Sequence, residues 1–296
     1  MIVRKIKGLI TKSIGGLYTV ESPEGLFICK PKGKFRKLGQ SPLVGDAVTA
    51  EVYGENEGVI SEIAPRKNEL VRPPLANLDV LIIVVSTCSP MPNFTVIDKL
   101  IAIAEYKGIE PVLVITKTDL SDGRELLRIY THAGFKVFCC DNTKGEVPDG
   151  LMSLVAGKIC GFAGNTGVGK SSFLNVIDSS LLLKTGEISE KLGRGRHTTR
   201  HAQLYKLSNG AYIADTPGFS SLETDRYEII LKDRLQDCFR EFSEYKDKCR
   251  FTNCSHTKEK GCAVIEALKS GEIEKSRFES YVKMYEEAKK IKEWEV

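Results

Sequence analysis

The densest chemistry in the chain lies in Gly164-Asn165-Thr166-Gly167-Val168-Gly169-Lys170-Ser171, spaced GxxxxGKS. Glycines at this spacing let successive backbone N–H groups curl around an anion with no Cβ in the way. An apolar run at 159–163 precedes the loop, and a helix is expected over 172–177. The anion then meets a helix N-terminus, where orphan N–H groups and the dipole favour negative charge. In this reading Lys170 reaches the β- and γ-phosphates and Ser171 ligates Mg²⁺, with Ser172 in the same nucleotide-binding run. The pattern implies a bound nucleotide.

Two more polar segments close strand-like runs. Thr116-Lys117-Thr118-Asp119 follows the apolar run 111–115. A carboxylate at 119 can accept from both the N1–H and the 2-amino group of guanine, a donor pair that adenine lacks. The Lys117 stem is expected to pack along the base with its ammonium tied to the phosphate loop. Asp215-Thr216-Pro217-Gly218 follows the run 211–214. There Asp215 can hold Mg²⁺ through water and the Gly218 N–H can sense a γ-phosphate. Between the loop and this segment lies Gly193-Arg194-Gly195-Arg196-His197-Thr198-Thr199-Arg200, too polar to pack. Either Thr198 or Thr199 completes the Mg²⁺ shell, in a segment expected to order with GTP bound.

Cys249, Cys254, His256 and Cys262 follow the pattern Cx₄CxHx₅C. Three thiolates and one imidazole suit tetrahedral Zn²⁺ with no position left for water, one structural ion per chain. His256 then needs a partner for its other ring nitrogen. Cytosolic disulfides are the competing reading. The remaining five cysteines sit in apolar or mixed settings and read as packing residues.

The elements that must position these groups follow from patterning. The chain has 296 residues, 42% apolar and 28% charged, with a net charge of +4, which leaves room for two or three domains. No apolar run approaches the ~20 residues of a membrane span. The N-terminus alternates apolar and basic residues, unlike a signal peptide, so a cytoplasmic chain with free thiols is expected. Residues 1–70 carry five strand-like runs, at 7–10, 17–20, 26–29, 47–52 and 58–63, punctuated by turns. Five short strands suit an OB-fold barrel. Between the third and fourth runs, Lys30, Lys32, Lys34, Arg36 and Lys37 are phosphate-contacting candidates for RNA, with Phe35 and Phe27 as candidate stacking rings. A solvated charged loop is the plainer reading of that segment.

Residues 64–68 and 72–74 read as a linker. From residue 78 strands and helices alternate: strands at 80–85, 111–115, 136–140 and 159–163, and helices at 96–106, 125–133 and 151–155. Such alternation predicts a doubly wound parallel sheet. Helices are expected at 227–245, 263–269 and 277–293, with charges that nearly balance.

The order TKxD, GxxxxGKS, GRGRHTT, DTPG resembles that of the circularly permuted GTPases, and among them the RsgA-type small ribosomal subunit biogenesis GTPases. Val44-Gly45-Asp46, Arg72-Pro73-Pro74-Leu75-Ala76-Asn77-Leu78-Asp79 and the cysteine cluster extend the resemblance over almost the whole chain. It implies an α/β core, a circularly permuted P-loop GTPase with a doubly wound sheet, between an N-terminal all-β OB-fold barrel and a C-terminal α-helical zinc-binding domain. The boundaries expected are 1–70 for the RNA-binding barrel, 71–222 for the GTPase domain and 223–296 for the zinc-binding domain. It also implies a cytoplasmic, monomeric GTPase that binds the small ribosomal subunit and its rRNA late in maturation, with Mg²⁺ and GTP or GDP, and whose hydrolysis is coupled to release. Two departures stand out. The base-reading motif usually begins with Asn, and Thr116 keeps a hydroxyl without the amide, an expectation of weaker base affinity. The last guanine-contacting motif would fall near Cys139-Cys140-Asp141, where no residue is assigned.

Many GTPases orient the attacking water with a glutamine after the DxxG glycine; here that residue is Phe219. The resemblance favours His197 as the catalytic group instead, over a surface histidine that contacts RNA. Because DTPG runs almost directly into the cysteine-bearing tail, GTP loading is expected to reposition that tail. Two other classes share the phosphate loop: a small-molecule kinase, and a nucleic-acid scaffold whose nucleotide scarcely turns over.

Overall fold

The computed structural model describes residues 3–37, 39–141, 143–178, 202–215 and 228–291, with Arg36 and Asp215 described by backbone alone. The chain forms two compact units. One comprises Met1–Val80, Val155–Phe162 and Lys191–Phe219, the other Leu81–Leu154, Ala163–Glu190 and Ser220–Val296.

In the first unit, β1 (Arg4–Ile14), β2 (Leu17–Ser22), β3 (Gly25–Pro31), β4 (Ala47–Tyr53) and β5 (Glu57–Ile63) form a barrel in the order β1-β2-β3-β5-β4. The barrel closes where β4 returns to β1, from Arg4↔Val52 to Leu9↔Ala47. All its pairs are antiparallel except β3–β5. Alternation drives closure: Val48, Ala50 and Val52 of β4 turn inward onto Ile6, Ile10, Val20, Phe27 and Ile60. A register shift between Ile10 and Lys12 bends β1, whose eleven residues serve both β2 and β4. The expected strands are all present, and each runs past its expected bounds at one end or both. The basic segment, expected as a loop, continues β3 to Pro31 and then forms the single-turn α1 (Lys34–Lys37).

Residues 64–68 and 72–74, expected as a linker, are part of a folded segment that runs to residue 79. Fully buried Asp46 accepts from Arg66 Nε at 2.7 Å and Nη2 at 2.8 Å, and from the Leu43 N–H at 2.7 Å. Those donors offset the cost of burying its charge. Gly45 has φ +93°, and a Cβ there would stand 2.0 Å from the Ala76 carbonyl oxygen, so no other residue fits. A short hairpin of β6 (Glu69–Leu70) and β7 (Leu75–Ala76) follows. The motif Val44-Gly45-Asp46 is thus a packing junction.

In the second unit, β8 (Val80–Ser86), β9 (Glu110–Thr116) and β10 (Lys136–Cys139) lie in the order β10-β9-β8. β8 is buried at every position, as a strand covered on both faces must be. The helices α2 (Phe94–Tyr106), α3 (Arg124–His132) and α4 (Leu151–Val155) alternate with these strands. Asn93 caps α2 by accepting from the Val96 N–H at 3.3 Å. Next along the chain come β11 (Ile159–Ala163), all but its last residue in the first unit, and then, in the second, the phosphate loop and α5 (Lys170–Ile177). In the first unit β12 (Gln203–Lys206) and β13 (Tyr212–Asp215) pair antiparallel, and β11 pairs parallel with β13. β12 had no expected counterpart.

The C-terminal part departs from expectation between residues 227 and 245. The described residues there form the four-residue α6 (Lys232–Leu235) and short 3₁₀ turns, one at Gln236–Cys238 and another at Arg240–Phe242. The apolar residues Leu235, Cys238, Phe239 and Phe242 all enter one core, with the helix interrupted at Phe239, whose backbone is extended at φ −116° and ψ 93°. α7 (Ala263–Ser270) and α8 (Lys275–Ala288) are as expected, though α8 starts and ends earlier. This core includes Ala102 and Ile103 of α2. At its edge, fully buried Arg277 donates to Asp98 at 2.8 Å and to Glu241 at 2.7 Å, and lies over the Phe239 ring at 4.6 Å. Among the described residues no helix is long and apolar enough to cross a membrane.

Candidate nucleotide site and metal centre

The phosphate loop has the backbone its glycines allow. Gly164, Gly167 and Gly169 have φ of +137°, +81° and +93°. At Gly164 an added Cβ would stand 2.3 Å from the Val84 carbonyl oxygen, so β8 and the loop can meet this closely only at glycine. α5 starts at Lys170, two residues earlier than expected, and Phe173 anchors it as a fully buried side chain. Its first turn has no side-chain cap, so its leading N–H groups remain for an anion. The Lys170 ammonium donates to the loop's own Gly164 and Asn165 carbonyls at 2.7 and 2.8 Å. Burial pushes its pKa below the usual lysine value. Ser171 and Ser172 are exposed beside it.

The TKxD segment sits against this loop. Thr116 is fully buried, and its hydroxyl lies 2.5 Å from the Val168 carbonyl oxygen and 3.2 Å from that of Val85. The hydroxyl therefore ties the reader strand to the phosphate loop. Lys117 differs from expectation: its ammonium donates to the Ser89 carbonyl, in the β8–α2 connection, and not to the phosphate loop. Its backbone is left-handed, φ +59°, which is costly for a side chain with a Cβ. Three donors converge on the Lys117 carbonyl: Thr87 Oγ1 at 2.7 Å, the Leu120 N–H at 3.0 Å and the Ser121 N–H at 3.3 Å. Asp119 emerges exposed just beyond. Thr87 and Ser89 belong to no motif, and a threonine after an apolar strand carried no signal that could have singled them out.

His197, Thr198, Thr199 and Gly218 lie outside the described residues. Asp215 ends β13, at the C-terminal end of a strand as its motif requires.

The cysteine cluster is assembled. One ligand atom each from Cys249, Cys254, His256 and Cys262 lies within 4.8 Å of the others. Four donors sharing a tetrahedral ion at ~2.0–2.3 Å would stand about 3.5–3.8 Å apart. Cys249 and Cys262 Sγ are 3.7 Å apart, and His256 Nδ1 is 3.4 Å from each, so the residues fit zinc. The partner that sequence could not name for the other ring nitrogen is Gln236, whose Oε1 is 2.7 Å from Nε2. Burial lowers the His256 pKa, keeping the imidazole neutral as a ligand must be. Glu259 organises the loop between the ligands: its carboxylate accepts from the N–H groups of Ser255, Thr257 and Lys258 at 2.9, 3.0 and 3.0 Å. Although partial burial works against the charge, hydrogen bonds from Ser255 and these N–H groups hold its carboxyl at about 2.

In the barrel, a cavity of about 480 Å³ is lined by Tyr18, Lys30, Lys32 and Phe35, among others. Phe35 and Phe27 are 5% and 2% exposed, so neither offers a face for stacking; both are core residues. Lys32 is paired with Glu51 at 2.8 Å, whereas Lys30, Lys34 and Lys37 are exposed.

A phosphate loop tied to a TKxD strand that precedes it in the chain, with the DxxG aspartate on a later strand, defines a circularly permuted GTPase. The chain belongs to the RsgA GTPase family: the RsgA GTPase family model matches residues 63–225 and the RsgA N-terminal domain model matches residues 7–60. Members of this family are GTP-hydrolysing enzymes. The chain is 45% identical over 290 residues to the small ribosomal subunit biogenesis GTPase RsgA of Caldanaerobacter subterraneus, covering 97% of each chain. It is 44% identical over 292 residues to the protein of that name from Geobacillus thermodenitrificans, covering 97% of this chain and 98% of the relative. Among solved structures it is similar to YjeQ from Thermotoga maritima, with TM-score 0.83, 35% identity and coverage of 98% of this chain and 100% of that one. It is also similar to YloQ, a circularly permuted GTPase, with TM-score 0.79, 31% identity and coverage of 97% and 96%.

Proposed function

We propose that this GTPase binds the small ribosomal subunit and its rRNA late in maturation and leaves when GTP is hydrolysed. The hydrogen bond between Thr116 and the Val168 carbonyl carries the nucleotide part of this reading, because it holds the guanine reader against the phosphate loop. Asp119 selects guanine through its N1–H and 2-amino donors. The N–H groups from Gly164 to Ser172 cradle the phosphates. Two of the three ammonium donors of Lys170 are already engaged by loop carbonyls, and the third serves a phosphate oxygen. Ser171, Asp215 and one of Thr198 and Thr199 would hold Mg²⁺, which supplies charge neutralisation between the phosphates. His197 orients the attacking water in place of the missing glutamine. The cysteine cluster holds one structural Zn²⁺.

The partner assignment is supported by the names of the relatives and by the barrel, where Lys30, Lys34, Arg36 and Lys37 offer phosphate contacts. With both aromatic rings buried, this surface binds RNA by charge and shape more than by stacking. The protein works as a cytoplasmic monomer. Shared contacts between the C-terminal core and α2 mean that any nucleotide-driven repositioning of the tail carries α2 with it.

Nucleotide-dependent cosedimentation with purified small subunits, at two salt concentrations, tests this function. Binding with a GTP analogue, weakened by salt and lost with GDP, is expected, together with faster hydrolysis when subunits are present. Equal cosedimentation with both nucleotides would remove the release step, and no cosedimentation would remove the partner.

A further inference from the structure

We infer that Thr87 is a positioning residue for guanine specificity, acting through the backbone of Lys117. This rests on Asp119 being the guanine reader. Asp119 is exposed, and its direction depends on the turn that carries it. That turn begins at Lys117 in a left-handed conformation with φ +59°, which a lysine adopts only when its surroundings hold it there. The hold is on its carbonyl. Two of the three donors, Leu120 and Ser121 N–H, belong to the same turn and move with it. The third, Thr87 Oγ1 at 2.7 Å, comes from the end of β8 and is the shortest of the three.

Thr87 is itself well fixed. It is 5% exposed, and its N–H donates to the Thr116 carbonyl at 3.1 Å. Its hydroxyl has one proton, and the competing contact to Cys88 Sγ is long at 3.8 Å, so the proton goes to Lys117. Its methyl lies beneath the far end of the turn, 3.3 Å from where a Cβ on Gly123 would be. The Thr87 hydroxyl thus pins the start of the reader turn from outside it. The carboxylate that the turn carries is aimed by a residue outside every nucleotide motif. A bidentate pair loses its second bond when the carboxylate rotates.

The test compares GTP with ITP, which lacks the 2-amino group and so keeps only one of the two donors. Thr87→Val retains the methyl and removes the hydroxyl. It should lower the GTP-over-ITP affinity ratio about three- to tenfold, the range of one hydrogen bond, while ITP affinity stays near wild type. Thr87→Ser should retain the wild-type ratio. Should Thr87→Val not fold, Thr87→Ala against Thr87→Ser makes the same comparison, since both lack the methyl and differ only in the hydroxyl. Asp119→Ala provides the reference. If it abolishes the ratio while the hydroxyl-less variants keep it, Thr87 has no such role. If Asp119→Ala itself leaves the ratio intact, the reader assignment fails and Thr87 falls with it. A purely structural role would lower thermal stability and both affinities together without moving the ratio.

Discussion

The nucleotide site and the cysteine cluster solve opposite problems. At the first, Asp119, Ser171 and Ser172 are exposed and the buried atoms, such as the Thr116 hydroxyl, serve only to hold the frame. At the second the ligands face inward and their neighbours are already satisfied: His256 by Gln236, and the ligand loop by Glu259 and by Tyr281, whose hydroxyl donates to the Ser255 carbonyl at 2.9 Å. A site that must exchange its ligand leaves its chemistry to solvent and puts its order in the backbone. A staple does the reverse, because every water-accessible position on the ion would weaken it.

Removing zinc from the full-length protein should have the largest effect, since binding of a structural ion is folding free energy on the order of 10 kcal/mol in small zinc modules. Chelation should lower the melting temperature and abolish near-ultraviolet ellipticity from Tyr281 and its neighbours, with recovery on adding zinc. An unchanged melt would mean that the cluster is no staple and the contrast is lost. His197→Ala should cut turnover about 10²- to 10⁴-fold with GTP affinity intact, measured by single-turnover hydrolysis and fluorescent-nucleotide binding. Turnover equal to wild type would end its catalytic assignment.

The junction between the two regions offers a sharper test. Arg277→Met leaves Asp98 buried with only neutral hydroxyl partners, Tyr130 at 3.0 Å and Ser280, and should cost roughly 3–5 kcal/mol in urea unfolding. A cost below 1 kcal/mol would mean that the C-terminal core does not depend on α2 through this pair.

Acid should separate the regions too. A carboxyl held at about 2 contributes stability that is complete above the ordinary glutamate value of 4.5 and is lost as pH falls through about 2. The stability difference between wild type and Glu259→Gln should therefore shrink between pH 5 and pH 2. A constant difference across that window would show that the charge of Glu259 is irrelevant.

The smallest effect concerns Thr116. One hydroxyl proton faces two carbonyls, at 2.5 and 3.2 Å, and serves the nearer. Thr116→Val should weaken GTP binding by about 1 kcal/mol, whereas Thr116→Asn, with two amide protons, should tighten it severalfold. If valine and asparagine behave alike in equilibrium binding, the tie is not what steadies the loop.

Much of this was legible in the chain. The barrel strands were readable because a closed sheet with one buried face imposes strict alternation, and β8 because a strand covered on both faces is continuously apolar. β12 escaped notice because Gln203–Lys206 is four residues of mixed polarity, too short for a period to register. Residues 227–245 looked helical because apolar residues recur there at roughly helical spacing. In the structure Phe239, Phe242 and Tyr281 pack ring against ring, with centroids 4.8–5.3 Å apart, but Phe239 is extended and the segment runs as short turns on either side of it, a break that periodicity does not show. Phe35 looked like a stacking ring because nothing local shows which face of a basic segment meets the core.

Sequence alone determined which chemical groups are present and in what order: a glycine loop that only an anion explains, a carboxylate suited to guanine, and four ligands at zinc spacing. These are local patterns, set by backbone freedom and by covalent spacing. Tertiary structure decided what holds each group in place. It put Thr116 on the phosphate loop, Lys117 on Ser89, Thr87 under the reader and Gln236 behind His256. Such partners lie from 20 to 52 residues apart in the chain. Hydrogen bonds over those separations depend on how sheets and turns close in space, and no period or motif records them.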